Sequence, residues 1–357
     1  MRPPLPIALA AVLALAAACA RAAQPGAAPT VVLLSFDGTR PDQVRELPAF
    51  RRIAERGAFG AGLEPAFPSN TFPNHVTFVT GVAPDRHGIV SNVFEDPERG
   101  LYRYEADPTW IEVEPLWSLL ARAGIASASF HWVGSEGAWR SGLGPRAWHR
   151  FDGSVPESEK VDQILVWLGA SEPPRFVTAW FHGADGAGHR HGPDSRQAAA
   201  SLRVQDAELG RLLDALEARG LMASTTLVLV SDHGMARVER SVDLERTLRR
   251  AGLHADAIGG GGFATVQIEA ARGEDAKVLA DRAVSLARGL RGAHGHRPEE
   301  PAMTGLFAAV GRGVDPGLRP DRVRAVDVAP TVLSLLGQPV PTWMEGRPVS
   351  LHAEPIR

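Results

Sequence analysis

Cysteine is almost absent from this chain: among 357 residues, Cys19 is the one example. That excludes a disulfide framework and a thiolate-held structural zinc, so any metal must rest on histidine and carboxylate. Lysine is nearly as scarce, with Lys160 and Lys277 alone. An excess of one charge is missing too: 38 Lys+Arg against 41 Asp+Glu leave a net charge of −3, so no nucleic-acid-binding surface is evident. Beyond the N-terminal two dozen residues no apolar run approaches the roughly eighteen residues of a membrane-crossing helix. What is present is ordinary for a globular chain: 44% hydrophobic and 22% charged residues, with Gly 37 and Pro 28 supplying turns without a collagen period. The length suits one large α/β unit as well as two domains.

The N-terminus reads as an export signal over residues 1–22: Arg2, the apolar run Ile7 to Ala18, then small residues around Cys19 and Ala20-Arg21-Ala22. Two fates compete. Cleavage after the small-x-small triplet releases a soluble periplasmic or secreted protein; acylation of Cys19 gives a lipid-anchored one, the sole membrane link the sequence offers. Leu15 stands one place too early for a good lipobox, which favours the soluble fate.

Thr30 to Phe36 is a continuous β-rich apolar run of the kind buried on both faces of a parallel sheet, and it stops at Asp37-Gly38. Arg175 to Phe181 repeats the pattern and runs on to Asp185; Thr225 to Ser231 repeats it again and ends at Asp232-His233. Helical stretches alternate with these strands: Pro41 to Arg56, Pro115 to Ala123, Ser158 to Leu168, and Ser195 to Arg219, where Leu202, Leu209, Leu212, Leu213 and Leu216 keep helical spacing. Leu306 to Val310 reads as a further strand and Val328 to Leu336 as a helix ended by Gly337. The expected fold is α/β: an open, mostly parallel sheet with helices on both faces, binding its ligand outside the carboxyl ends of the strands. One domain spans 30–340, with 341–357 a C-terminal tail. Gly259 to Gly262 follows no convincing strand and lacks the Lys-Ser/Thr of a phosphate loop, so it reads as a turn before a strand from Phe263 to Glu269.

Asp37, Asp185, His189, Asp232, His233 and His294 make three carboxylates and three imidazoles at or near strand ends. That is enough for two divalent ions, and a histidine-containing N/O set favours zinc over magnesium or calcium. His191 and His296, two places beyond proposed ligands, are the nearest substitutes for them.

The segment Phe67-Pro68-Ser69-Asn70-Thr71-Phe72-Pro73-Asn74-His75, followed by Thr80-Gly81, resembles the signature of the nucleotide pyrophosphatase/phosphodiesterase branch of the alkaline phosphatase superfamily. Five more segments match that family in order: Ser35 to Asp42, His87 to Asn92, Asp185 to Pro193, Ser231 to Met235, and Ala293-His294-Gly295. The resemblance implies an alkaline-phosphatase-like fold with a small cap, reduced here because the interval from His233 to His294 is short. It also implies two Zn²⁺, one on Asp37, Thr71, Asp232 and His233, the other on Asp185, His189 and His294. Thr71 would be the nucleophile, forming a phosphothreonine, and Asn92 the donor to a non-bridging oxygen. The substrate would be a small phosphodiester or nucleotide.

Spacing agrees with these roles. Asp185 and His189, four apart, share one side of a helical turn. Asp232 and His233 are adjacent, so the chain must leave strand geometry after Ser231, a turn that Gly234 permits. Thr71 opens a helical run, where N–H groups and the dipole favour a phosphate oxygen. The departures concern substrate. Asn70 stands where many relatives carry Lys, and His131-Trp132-Val133-Gly134-Ser135 replaces a Trp-Pro-Gly-Ser stretch. Phe72 and Trp180 are candidate stacking platforms for a base, and core aromatics otherwise. Arg122, Arg140, Arg146 and Arg150 are the cations able to fold inward. The competing readings are a phosphonoacetate hydrolase-like or phosphomonoesterase activity on the same metals, and a non-catalytic metal- or phosphate-binding relative.

Overall fold

The computed structural model describes residues 28–238, 243–259, 261–268, 274–287 and 294–353. The export signal with Cys19, and Gly260, Glu269 and Ala293, lie outside the described residues. Seven strands form one sheet: β1 (Thr30–Phe36), β2 (Ala58–Phe59), β3 (Ser127–Phe130), β4 (Ala147–His149), β5 (Phe176–Phe181), β6 (Thr225–Val230) and β7 (Phe307–Gly311). Their spatial order is β2-β7-β6-β1-β5-β3-β4. All pairs from β6 to β4 are parallel; β7 runs antiparallel to both β6 and β2. In the centre Ser35 pairs with Trp180 on one side and Val230 on the other, so β6, β1 and β5 finish together.

The alternation of β1 builds a core on each face. Val31 and Leu33 enter one cluster with Val76, Phe78 and Val79 of α3 (Thr71–Thr80), Leu116 and Trp117 of α4 (Leu116–Arg122), and Val328 and Val332 of α8 (Val328–Leu335). Val32, Leu34 and Phe36 enter the other, with Phe50 and Ile53 of α2 (Pro48–Arg56), Val161 and Ile164 of α5 (Glu157–Leu168), and the leucine stripe of α7 (Arg196–Ala218). A strand buried on both faces has no use for alternating polarity, which is why β1 reads as one apolar run. Ser195 caps α7, its Oγ accepting the Ala198 N–H at 3.1 Å.

Differences from the sequence reading have local causes. The expected helix Pro41 to Arg56 is two, α1 (Pro41–Val44) and α2, because Pro48 holds Leu47 in extended geometry (ψ 143°). A strand does end on the first glycine of the run, Ala255–Gly259; it pairs antiparallel with Ala264–Ile268, so Gly261 and Gly262 lie in the link of a hairpin. That hairpin, with helices Leu244–Arg250 and Ala276–Ala287, forms a small unit around Leu248, Leu253, Ala255 and Ala283. Residues 341–353 of the C-terminal segment pack against the domain: Met344 and Leu351 are buried in the main core, and the Glu345 N–H bonds Gly81 O at 2.9 Å.

Leu34 is wholly buried at the centre of the sheet. Leu34→Ala should cost about 2–5 kcal/mol, the usual range for truncating a buried leucine, read as a lowered denaturation midpoint; a loss below about 1 kcal/mol would show that the site collapses around the cavity.

Candidate active site

Three adjacent parallel strands deliver the site. Asp37 follows β1 directly; Asp185 and His189 sit one turn apart on α6 (Gly183–His191), which follows β5; Asp232 and His233 follow β6. Gly38 takes φ +65°, and a Cβ there would lie 3.1 Å from Asp185 Cβ, so glycine lets the first two elements meet. Gly234 is needed for a different reason than a turn. Its φ is not positive among the glycines that are, but a Cβ would meet Ala302 O at 2.2 Å, so the requirement is close approach. The bend is held instead by Ser231, whose Oγ donates to His233 O at 2.7 Å and accepts the Thr39 N–H at 3.0 Å.

Two groups of ligating atoms result, each within 4.8 Å: Asp37, Asp232 and His233, and Asp185, His189 and His294. The groups adjoin, since the His233 and His294 rings stack at 4.3 Å. His191 and His296 fall in neither. Thr71 is the first residue of α3, and its Oγ1 lies 3.3 Å from His233 Nε2. Asn92 Oδ1 accepts the Phe72 N–H at 2.9 Å. This fixes the amide orientation: the oxygen faces the helix, leaving the NH₂ as the remaining donor in the cleft wall.

Hydrogen bonds behind the histidines set their tautomers. His233 Nδ1 bonds Gly234 O at 2.8 Å and His294 Nδ1 bonds Asn70 Oδ1 at 3.1 Å, so each Nδ1 carries the proton and each Nε2 lone pair faces its group. His294 Nε2 and His189 Nε2 converge to 3.0 Å. Burial above all pushes the His294 imidazole down to about 3, keeping it neutral at ordinary pH.

The carboxylates test whether cations fit. Asp37 Oδ1, Asp185 Oδ1 and Asp232 Oδ2 are buried without a hydrogen-bond partner, and all three belong to the two groups. Burial first, then Asp185 and Asp232, raise the Asp37 carboxyl well above the ordinary carboxylate range. Carboxylate oxygens without a hydrogen-bond donor, gathered with imidazole nitrogens, are the donor set a divalent cation satisfies, and such a histidine-containing N/O set fits zinc.

A cleft of about 760 Å³ opens over these groups, lined by Thr71, Phe72, Asn92, Tyr104, Phe151 and Trp180 among others. Trp180 proves not to be an open platform. It is 6% exposed, with Phe151 stacked on its ring at 4.7 Å and His75 against it at 5.0 Å, and its Nε1–H donates to Asp37 Oδ2 at 2.9 Å. Phe72 is nearly as buried, at 9%, and meets Tyr104 edge-on. The open rings are Tyr104, 55% exposed, and Phe151, 42% exposed. Sequence reasoning missed both. Tyr104 had one available signal, since the two tyrosines of the whole chain stand together at 102 and 104; Phe151 had none. Of the four arginines able to turn inward, Arg150 lines the cleft, while Arg122 pairs with Glu114, Arg140 bonds Thr109 O, and Arg146 bonds Glu172 O.

The family described as type I phosphodiesterase/nucleotide pyrophosphatase matches residues 31–301, and the chain belongs to it. Human ectonucleotide pyrophosphatase/phosphodiesterase family member 1 is 33% identical over 218 residues, covering 58% of this chain and 24% of that protein. An uncharacterised pyrophosphatase/phosphodiesterase of Schizosaccharomyces pombe is 35% identical over 248 residues, covering 66% of this chain and 51% of that protein. The chain thus spans about a quarter of the one curated relative's length and about half of the other's. Among solved structures, murine ectonucleotide pyrophosphatase/phosphodiesterase 5, in an inactive form in complex with AMP, superposes with a TM-score of 0.79 at 23% identity, over 90% of this chain and 97% of that one. The fold is therefore that of the murine protein. No helix among the described residues is long and apolar enough to cross a membrane.

Because the Asp37 carboxyl is raised in the folded chain, the stability it contributes is present at low pH and lost as pH rises through the raised value. Asp37→Asn should therefore melt higher than the parent in chelator at mildly alkaline pH, yet gain less from added zinc, since binding to the native state alone stabilises it. Equal melting of the two proteins in chelator would show that the buried carboxylates do not repel.

Proposed function

We propose that this protein is an exported, zinc-dependent phosphodiesterase and nucleotide pyrophosphatase that works through a phosphothreonine. The observation that carries the reading is the placement of Thr71 Oγ1. It opens α3, lies 3.3 Å from His233 Nε2 of one carboxylate–histidine group, and lines the same cleft as Asp185, His189 and His294 of the other. The AMP complex of the murine relative makes nucleotide esters the first substrates to try.

One zinc would be held by Asp37, Thr71, Asp232 and His233 and the other by Asp185, His189 and His294, supplying Lewis-acid polarisation and access to a deprotonated hydroxyl at neutral pH. The chain's own residues supply the rest. The Thr71 oxygen attacks phosphorus in line, a bond forms from Thr71 to phosphorus, and the opposite ester bond breaks to release the alcohol. The Thr71 N–H at the start of α3 and the Asn92 amide NH₂ would face the non-bridging oxygens, where charge gathers. The Asn92 bond to Phe72 supports this, since it presents the donor end to the cleft. Water then attacks from the opposite side, the bond to Thr71 breaks, and the hydroxyl is restored. Trp180 holds Asp37, and the His233 and His294 backing bonds hold their rings, so the geometry is set before substrate arrives. Residues 1–22 support export.

Thr71→Ala should abolish turnover of an aryl nucleotide diester with the circular dichroism spectrum unchanged, and Asn92→Ala should cost about 10²-fold or more in kcat, as loss of one oxyanion donor does. Two displacements require net retention at phosphorus, so a chiral thiophosphate diester yielding inversion would sink the phosphothreonine. Chelation should remove activity and zinc restore it, with His294→Ala lowering bound zinc from two ions to one; full activity in metal-free protein would refute the bimetallic reading.

A further inference from the structure

Of the chain's two lysines, Lys277 is exposed and pairs with Asp281, whereas Lys160 is wholly buried. From the first turn of α5 its ammonium bonds Glu157 Oε2 at 2.5 Å and His182 Nδ1 at 3.1 Å. Because His182 Nε2 bonds Gly153 O at 3.3 Å, that nitrogen carries the imidazole proton and Nδ1 accepts from Lys160. The second Glu157 oxygen is also in use, accepting the Gly183 N–H at 3.0 Å and a Gln205 Nε2–H at 2.9 Å. Gly183 is the first residue of α6, and the His182 that precedes it makes no capping bond through its side chain. A carboxylate from α5 therefore does the work of an N-cap, at the helix end where the dipole favours negative charge. Glycine is required for this contact: a Cβ at 183 would lie 2.7 Å from Glu157 Oε1 and 2.9 Å from Ser201 Oγ.

A buried ion pair is a poor source of stability, since desolvating both ions costs about what their attraction returns, and apolar side chains of similar volume often do as well. What this pair fixes is location. Its bonds tie His182 and Gly183, the entry to α6, to α5 and through Gln205 to α7. Asp185 stands two residues beyond Gly183, and His189 follows one turn later with its Nε2 3.0 Å from His294 Nε2. The other ligand group is held by different bonds: Trp180 donates to Asp37, and Ser231 holds the bend that carries Asp232 and His233.

Resting on the two-zinc reading above, we propose that Glu157 and Lys160 are positioning residues for one of the two ions: they fix the start of α6 so that Asp185 and His189 meet His294 in the arrangement that binds the second zinc, while the ion on Asp37, Thr71, Asp232 and His233 does not depend on them. Residues that orient metal ligands without touching the metal ordinarily contribute about 10- to 100-fold in affinity.

The test titrates zinc into metal-stripped protein against a chromophoric chelator, in the parent, Lys160→Met and Glu157→Gln/Lys160→Met, each with and without His294→Ala. The double change leaves no charge buried alone, so it decides the matter if the single one fails to fold. Both variants should hold the second ion about tenfold more weakly than the parent does. In the His294→Ala background, where the first ion alone remains, zinc affinity should be the same in all three proteins. Parent-like affinity for both ions in the double variant would overturn the proposal, since α6 would then keep its place without the pair. An equal loss for the two ions would overturn it too, by showing that the pair supports the molecule as a whole. Either result leaves the two-zinc reading standing, whereas a parent that binds fewer than two zinc ions would overturn that reading and this proposal with it.

Discussion

Three clustered carboxylates, two of them fully buried, set the terms for the rest of this structure. Asp37, Asp185 and Asp232 each leave an oxygen without a hydrogen-bond partner. No arrangement of flexible loops would hold them together, because each would swing toward water. Here they are mounted on or just beyond β1, β5 and β6, which are neighbours in the sheet and buried on both faces, so moving one away means disturbing a core. The rigidity of the sheet is what makes a concentrated negative site possible, and that site in turn calls for cations.

Around the carboxylates the fold controls lone pairs as closely as charges. The backing bonds from His233 to Gly234 O and from His294 to Asn70 put the imidazole protons on the outer side. Asn70 has a second duty as the residue preceding Thr71 at the start of α3. Ser69 extends the link, since its C=O accepts the Gly295 N–H at 2.9 Å and its Oγ donates to His296 O at 2.7 Å. The loop that presents the nucleophile is therefore tied to the segment that presents the last ligand, more than two hundred residues later, and a shift in one displaces the other.

Much of this was legible in the chain itself. Strands buried on both faces announce themselves as unbroken apolar runs, so β1 is readable to the residue, and α7 is readable from its leucine spacing and its Ser195 cap. Adjacent Asp232 and His233 implied a departure from strand geometry, though the reason for Gly234 was contact with Ala302 O rather than the turn. The glycine run misled for a similar reason: glycine reports that something is special about the backbone without saying what packs against it. Trp180 shows the limit most plainly. Its position before the second acidic segment suggested an aromatic surface for a ligand, but a wholly non-local partner, Asp37, takes its N–H, and Phe151 covers its face.

By itself, the sequence determined most of the elements and which acidic and histidine residues are the candidates for the site, because strand and helix periodicities are local and those residues sit at fixed offsets from strand ends. It determined the absence of thiolate chemistry and the family as well. Only the tertiary structure decided which aromatic rings stay open, which arginine reaches the cleft, and how each histidine is turned. Those outcomes depend on pairs such as Trp180 with Asp37 and Asn70 with His294 that are distant along the chain. Local propensity carries no information about such pairs, since their energy exists only once the sheet has brought them together.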